Sequence, residues 1–174
     1  MNGRSLPKEP VRKSPKSQRR SRTSAGLLMF RRKGDRLEVL LVHPGGPFFA
    51  NKDDGAWTIP KGEVSPGEDL LMRAQIEFEE ELGIKPSGQW IPLDRIKQKG
   101  GKTVHAWAFE SDLPGSFKLK SNTFKMEWPL RSGKQSEFPE IDRALFFTED
   151  IARRKINSAQ IALLDRLSGA LNQQ

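Results

Sequence analysis

The sequence predicts an α/β fold in which a mixed β-sheet lies between helices. Three observations lead to it. Residues 25–31 and 37–43 hold nearly continuous apolar runs, Leu27, Leu28 and Met29 in the first and Val39, Leu40, Leu41 and Val42 in the second, as strands covered on both faces do. The segment Asp69 to Leu82 has no internal Gly or Pro and repeats apolar residues at helical spacing. A second such segment runs from Ser158 to Leu171, where Ile161, Leu164, Leu167 and Leu171 recur for packing.

Taken in order, residues 1–24 come first as a basic tail. They carry eight Lys or Arg, one acid (Glu9) and only Met1, Leu6 and Val11 as sizeable apolar groups. So little burial cannot offset the entropy of ordering the backbone, so the tail is expected to be disordered ahead of one domain over 25–174. Pro7, Pro10 and Pro15 oppose the amphipathic helix of an organellar leader. The tail holds +7 of the formal charge of +8 and leaves the folded part nearly neutral. It is either a weak, salt-sensitive contact for nucleic acid or a solubilising segment.

Strands over 25–31 and 37–43 are joined by a turn at Lys33-Gly34-Asp35. Residues 44–56, PGGPFFANKDDGA, form a long loop in which Lys52 could meet phosphate. Phe48 either stacks on a base or anchors the loop to the core. Helix 69–82 follows, with Ser65 or Asp69 as N-cap and Gly83 as terminator. Strands over 90–99 and 103–110 then flank a hairpin turn at Gly100-Gly101. Trp90, Trp107 and His105 are read there as packing or structural groups, and both histidines stay outside the catalytic set. Residues 111–140 are expected to be irregular, a basic substrate-selecting lobe carrying Lys118, Lys120, Lys125, Arg131 and Lys134. A short strand over 143–147 and a helix start at Thr148-Glu149-Asp150 precede the last helix.

Composition excludes several chemistries. With no Cys in 174 residues, disulfides, thiolate catalysis and Cys-ligated zinc are ruled out. No run of 18 apolar residues provides a membrane span, and no secretory hydrophobic core is evident, so a cytoplasmic protein is expected.

The functional signal concentrates on helix 69–82. Leu70, Leu71, Ala74, Phe78 and Leu82 share one face, while Glu77, Glu80 and Glu81 gather on an adjacent arc. Glutamates so spaced repel one another, and a divalent cation reverses the sign. A solvated acidic face is the bland alternative.

The surrounding spacing decides between them. Gly62, Glu68, Glu77, Phe78, Glu80, Glu81, Gly83 and Ile84 reproduce the fixed positions of G-x5-E-x7-R-E-U-x-E-E-x-G-U, where U is apolar, with Ile76 in place of the Arg. The window Gly62 to Ile84 resembles the Nudix box, and Trp57 to Lys61 is similar to the strand that leads into it in many Nudix proteins. The resemblance implies a Nudix α/β/α sandwich that hydrolyses a nucleoside diphosphate linked to another group. It implies Mg²⁺, with Mn²⁺ as substitute, held by Glu77, Glu80 and Glu81, with support from Glu68 and a carbonyl of Lys61 or Gly62. Glu80 and Glu77 are the candidates for taking a proton from water. Glu140 is a further acid from a later loop, with Glu137 in reserve. Lys52, Lys61, Phe48 and Arg131 are candidate substrate contacts.

At Ile76 the pattern breaks. Arg73 projects between Glu77 and Glu80 and is expected to supply the missing cation, while Ile76 pairs with Met72 and packs under a neighbouring loop. The expected substrate is a nucleoside triphosphate or dinucleoside polyphosphate. The alternatives are an RNA 5′ end, favoured by the basic tail, and a regulatory nucleotide-binding module that has lost catalysis, motivated by Ile76.

Overall fold

The computed structural model describes residues 22–173. Eight strands and three α-helices follow in the order β1 (Thr23–Lys33), β2 (Arg36–Pro44), β3 (Lys61–Glu63), α1 (Leu70–Leu82), β4 (Ile91–Lys97), β5 (Thr103–Glu110), β6 (Thr123–Glu127), β7 (Gln135–Pro139), β8 (Ile141–Thr148), α2 (Glu149–Lys155) and α3 (Ile161–Leu171). The main sheet has the order β4-β5-β1-β2-β8, and β3 adds to β1 beside its first residues. β1 runs parallel to β5 and antiparallel to β2 and β3, so the sheet is mixed, as expected.

The central strands bury both faces. Ala25, Leu27 and Met29 of β1 meet α1 through Ala74, Phe78 and Leu82. Leu28 and Phe30 enter the opposite core with Leu163, Leu164 and Leu167 of α3 and Ala152 of α2. Alternate residues of one strand thus feed two cores, and the sheet lies between helical layers. Helix α1 begins where expected: Asp69 accepts from the Met72 amide at 2.8 Å, and Gly83 ends the helix in the left-handed region at φ 70°. Ser65 is not the cap.

Three expectations are corrected. The strand before the box is β3 at Lys61–Glu63, not 57–61: Trp57 and Thr58 make only isolated bridges, and Pro60 has no amide hydrogen for a ladder. Residues 111–140 are not irregular throughout, because β6 and β7 pair as a separate antiparallel hairpin. Met72 and Ile76 do not pack under a loop; they are 62% and 39% exposed on the outer side of α1. The first strand also starts at Thr23, two residues earlier than read from sequence, and residues 1–21 of the basic tail lie outside the described residues. Among the described residues no helix is long and apolar enough to cross a membrane.

Candidate active site

One glycine makes room for the first of the acids. Gly62 pairs with Ala25 in the sheet directly beneath α1, and a Cβ at Gly62 would lie 1.8 Å from the Glu77 carboxyl carbon. The Glu77 carboxylate therefore rests on the bare backbone of position 62. A side chain there would displace it.

Burial then sets the electrostatics. Desolvation pushes the Glu81 carboxyl up to about 8, with the charges of Glu77 and Glu140 adding to the rise and Lys61 opposing it. One Glu81 oxygen, Oε2, is buried without a hydrogen-bond partner. Glu77 is also raised, by desolvation first, against the pull of Arg73. Burial lowers the Lys61 ammonium, and neighbouring Lys102 lowers it further, while Glu81 and Glu77 favour its charged form. A carboxylate set this short of partners suits a hard cation.

Arg73 occupies the position expected of it. Its guanidinium pairs with Glu77 and lies 3.6 Å from Glu80. Among the described residues no three acids or histidines converge in a ready-made coordination cage. The reason is local: Glu77 is turned to Arg73, and Glu80 is half-exposed beside it. The donor set still fits a divalent cation, since the oxygens are hard and one of them is buried without a partner.

The other candidates fall into two groups. Glu68 braces the loop, accepting from the Ser65 amide at 2.7 Å. Glu140 joins the acids from the β7–β8 junction, where its amide donates to the Asn122 carbonyl at 2.8 Å and its carbonyl accepts from Gly45 at 2.9 Å. Phe48 and Lys52 lie on the loop after β2, and Arg131 lies in the turn between β6 and β7. Phe48 is 52% exposed and packs edge-on to Trp128 at 5.8 Å, Lys52 sits over the Phe49 ring at 5.1 Å, and Arg131 occupies the hairpin tip at φ 64°. Phe48 thus anchors nothing in the main core. Sequence reasoning passed over Trp128, although the alternation Phe124, Met126, Trp128 carries a period-2 signal.

Comparison with known proteins completes the picture. The family model for the NUDIX domain matches residues 20–128. The chain belongs to the Nudix family. A Nudix sequence relative, the bis(5'-nucleosyl)-tetraphosphatase (asymmetrical) of Caenorhabditis elegans, is 30% identical over 111 residues, covering 60% of this chain and 76% of that protein. The fold resembles a crystal structure of a C. elegans Ap4A hydrolase binary complex, with a TM-score of 0.62 and 24% identity over 87% of this chain and 99% of that one. It also resembles the NUDIX domain of Shewanella oneidensis NrtR complexed with ADP ribose, with a TM-score of 0.63 and 14% identity over 92% and 94% of the two chains. The Nudix sandwich expected from the sequence is therefore the fold, and Nudix-type pyrophosphate hydrolysis is the class of reaction.

Proposed function

We propose that this chain hydrolyses a phosphoanhydride bond in a nucleoside diphosphate linked to another group, with dinucleoside polyphosphates and nucleoside triphosphates as substrates. The observation that carries the reading is the pairing of a partnerless, buried Glu81 oxygen with a Glu77 carboxylate lying on Gly62. The tetraphosphatase named above is the relative whose activity favours dinucleoside polyphosphates. Glu77 and Glu81 would hold Mg²⁺ (or Mn²⁺), with Glu80, Glu140 and the backbone carbonyl of Gly62 or Lys61 as further oxygens. Such a cation neutralises charge on phosphoryl oxygens and acidifies a bound water.

The side chains divide the remaining work. Glu80, half-exposed at the edge of the cluster, is free to accept a proton from an attacking water. Arg73 orients Glu77 by a charge-assisted hydrogen bond and takes over the role of the arginine that Ile76 lacks. Phe48, Lys52 and Arg131 supply an aromatic edge and two cations to the lobe beyond Glu140, and Lys61 adds a cation next to the acids. The lack of cysteine accords with a reducing compartment such as the cytoplasm.

Release of phosphate from a nucleotide panel with Mg²⁺ or Mn²⁺ tests the reading, with Glu80→Gln and Glu81→Gln as controls. Turnover by the wild type and its loss in both variants is the expected result. Equal turnover by wild type and variants would remove the acids from the mechanism. The +7 charge of residues 1–24 favours RNA 5′ ends as a second substrate, in which case RNA turnover falls steeply with salt.

A further inference from the structure

Among the acids assigned to the cation, Glu140 comes from outside the box helix and its loop, so neither of them places it. It stands between β7 and β8, next to Ile141, which shares the α1-side core with Ala74 and Phe78. Its charge is felt by Glu77 and Glu81, whose carboxyls it helps to raise.

The junction that carries Glu140 is held by two segments. From before β6, the Asn122 carbonyl accepts the Glu140 amide at 2.8 Å, and the Ser121 hydroxyl accepts the Ile141 amide at 2.9 Å. From the end of β2 and the loop after it, the Gly45 amide donates to the Glu140 carbonyl at 2.9 Å. Buried His43 engages Asp142 with one ring nitrogen at 2.7 Å and the Lys52 carbonyl with the other at 2.7 Å. This second segment thus grips the chain at Glu140 and again two residues later. The β2–β8 register shifts between His43 and Pro44, the irregularity that sets Pro44 opposite Ile141 and lets Gly45 reach Glu140.

Gly45 makes the closest approach. A Cβ there would lie 2.9 Å from the Pro139 carbonyl carbon and nearer still to its oxygen, and that backbone cannot swing aside as the end of a side chain can. At Gly46 a Cβ would meet the Phe124 ring at 2.8 Å, so the loop lies flat against the foot of the β6–β7 hairpin. Gly62 clears the space for Glu77 in the same way. Two glycines from distant parts of the chain therefore make room beside two of the acids, and the box motif contains only Gly62.

We propose that Gly45 is a positioning residue for Glu140, and that the His43–Asp142 pair ties loop and junction together so that Glu140 reaches the divalent cation from outside the box. This rests on the hydrolase reading above, in which Glu140 is one of the cation's oxygens. Groups that hold a metal ligand in place set metal affinity by about 10- to 100-fold.

The test is Mn²⁺ binding to the full chain by calorimetry, without nucleotide, beside thermal unfolding and turnover of diadenosine tetraphosphate with Mg²⁺. Glu140→Gln should weaken Mn²⁺ binding by about tenfold, and Gly45→Ala by a similar factor. The double variant should bind no more weakly than either single one, because both act through the same carboxylate. Gly115→Ala, at a glycine with open space around it, should keep wild-type affinity. Should Gly45→Ala fail to fold, Asp142→Ala carries the test, since this partly exposed side chain is removed without adding bulk. It too should weaken Mn²⁺ binding by about tenfold, and Asp142→Asn, which keeps an oxygen for His43, should recover most of the loss. Wild-type Mn²⁺ affinity in folded Gly45→Ala or Asp142→Ala, whatever its unfolding temperature, would overturn the proposal. Full additivity of Gly45→Ala with Glu140→Gln, or no effect of Glu140→Gln, would do the same and leave the hydrolase reading standing. If Mn²⁺ binding depends on Glu140 and Gly45 but no nucleotide is hydrolysed, the positioning role stands and the hydrolase reading falls.

Discussion

Two groups of polar side chains penetrate this fold, and they are finished differently. On the α3 side Gln160 is fully buried, yet its Oε1 accepts from the Ile59 amide at 3.0 Å and its Nε2 donates to Thr58 at 2.8 Å. His43, also fully buried, engages both ring nitrogens at 2.7 Å, one with Asp142 and one with the Lys52 carbonyl, and lies edge-on to Trp57. Among the described residues, the buried side-chain atoms without a partner are Glu81 Oε2 and Arg73 Nε in the acid cluster and Ser24 Oγ on β1. Completeness of bonding separates Gln160 and His43 from Glu81. A satisfied polar group fastens the structure, whereas an unsatisfied one keeps a vacancy in its bonding for something else.

That contrast is most exposed to disproof at Glu81. Glu81→Gln is expected to lower turnover by about 10²- to 10⁴-fold while leaving the metal-free protein as stable as the wild type or more so. Phosphate release and thermal unfolding measured together would check it, and a destabilised but active variant would place Glu81 with the fasteners. Acidity gives the next effect. Below pH 4.5 both folded and unfolded chains keep the Glu81 proton; between 4.5 and about 8 only the folded chain does. Stability of the metal-free protein should therefore fall as pH rises through that window and level off above it, and Glu81→Gln should flatten the fall. Denaturant midpoints at several pH values would follow it.

The reverse outcome is expected on the α3 side. Gln160→Leu strands the Ile59 amide and should cost about 1–3 kcal/mol of unfolding free energy, with kcat per folded molecule unchanged. Loss of kcat at full stability would erase the distinction between the two groups. The smallest effect is assigned to Arg73. Arg73→Ala should raise the Mg²⁺ concentration for half-maximal turnover by about tenfold, and adding Ile76→Arg to that variant should recover part of the loss. Unchanged metal dependence in Arg73→Ala would end its positioning role.

The sequence was most readable where local rules act alone. Asp69, Gly83 and the apolar stripe of α1 announce the helix, and the spacing from Gly62 to Ile84 announces the acids, because capping, periodicity and motif all lie within a few turns of chain. Legibility failed where partners are distant. Trp57 to Pro60 looks like a strand but lies where the chain crosses between β1 and β2, bonding to each only in passing. β6 and β7 were obscured by Pro129, Gly133 and a run of lysines, although their alternation was present. The exposure of Ile76 depends on which elements pack over α1, and no local pattern encodes that.

The position of β1 has a consequence for how the molecule is made. This strand is paired within a few residues to β2, but its parallel partner β5 arrives about 80 residues later, with Phe30 opposite Glu110. Parallel pairing at such separation is slow, because the intervening loop must close before any contact rewards it. On a growing chain the box helix is synthesised well before β5 can complete the floor beneath it. Until residue 110 has emerged, α1 has a half-built sheet to dock on, and a fragment ending before Thr103 would carry every acid of the box with no stable seat for them.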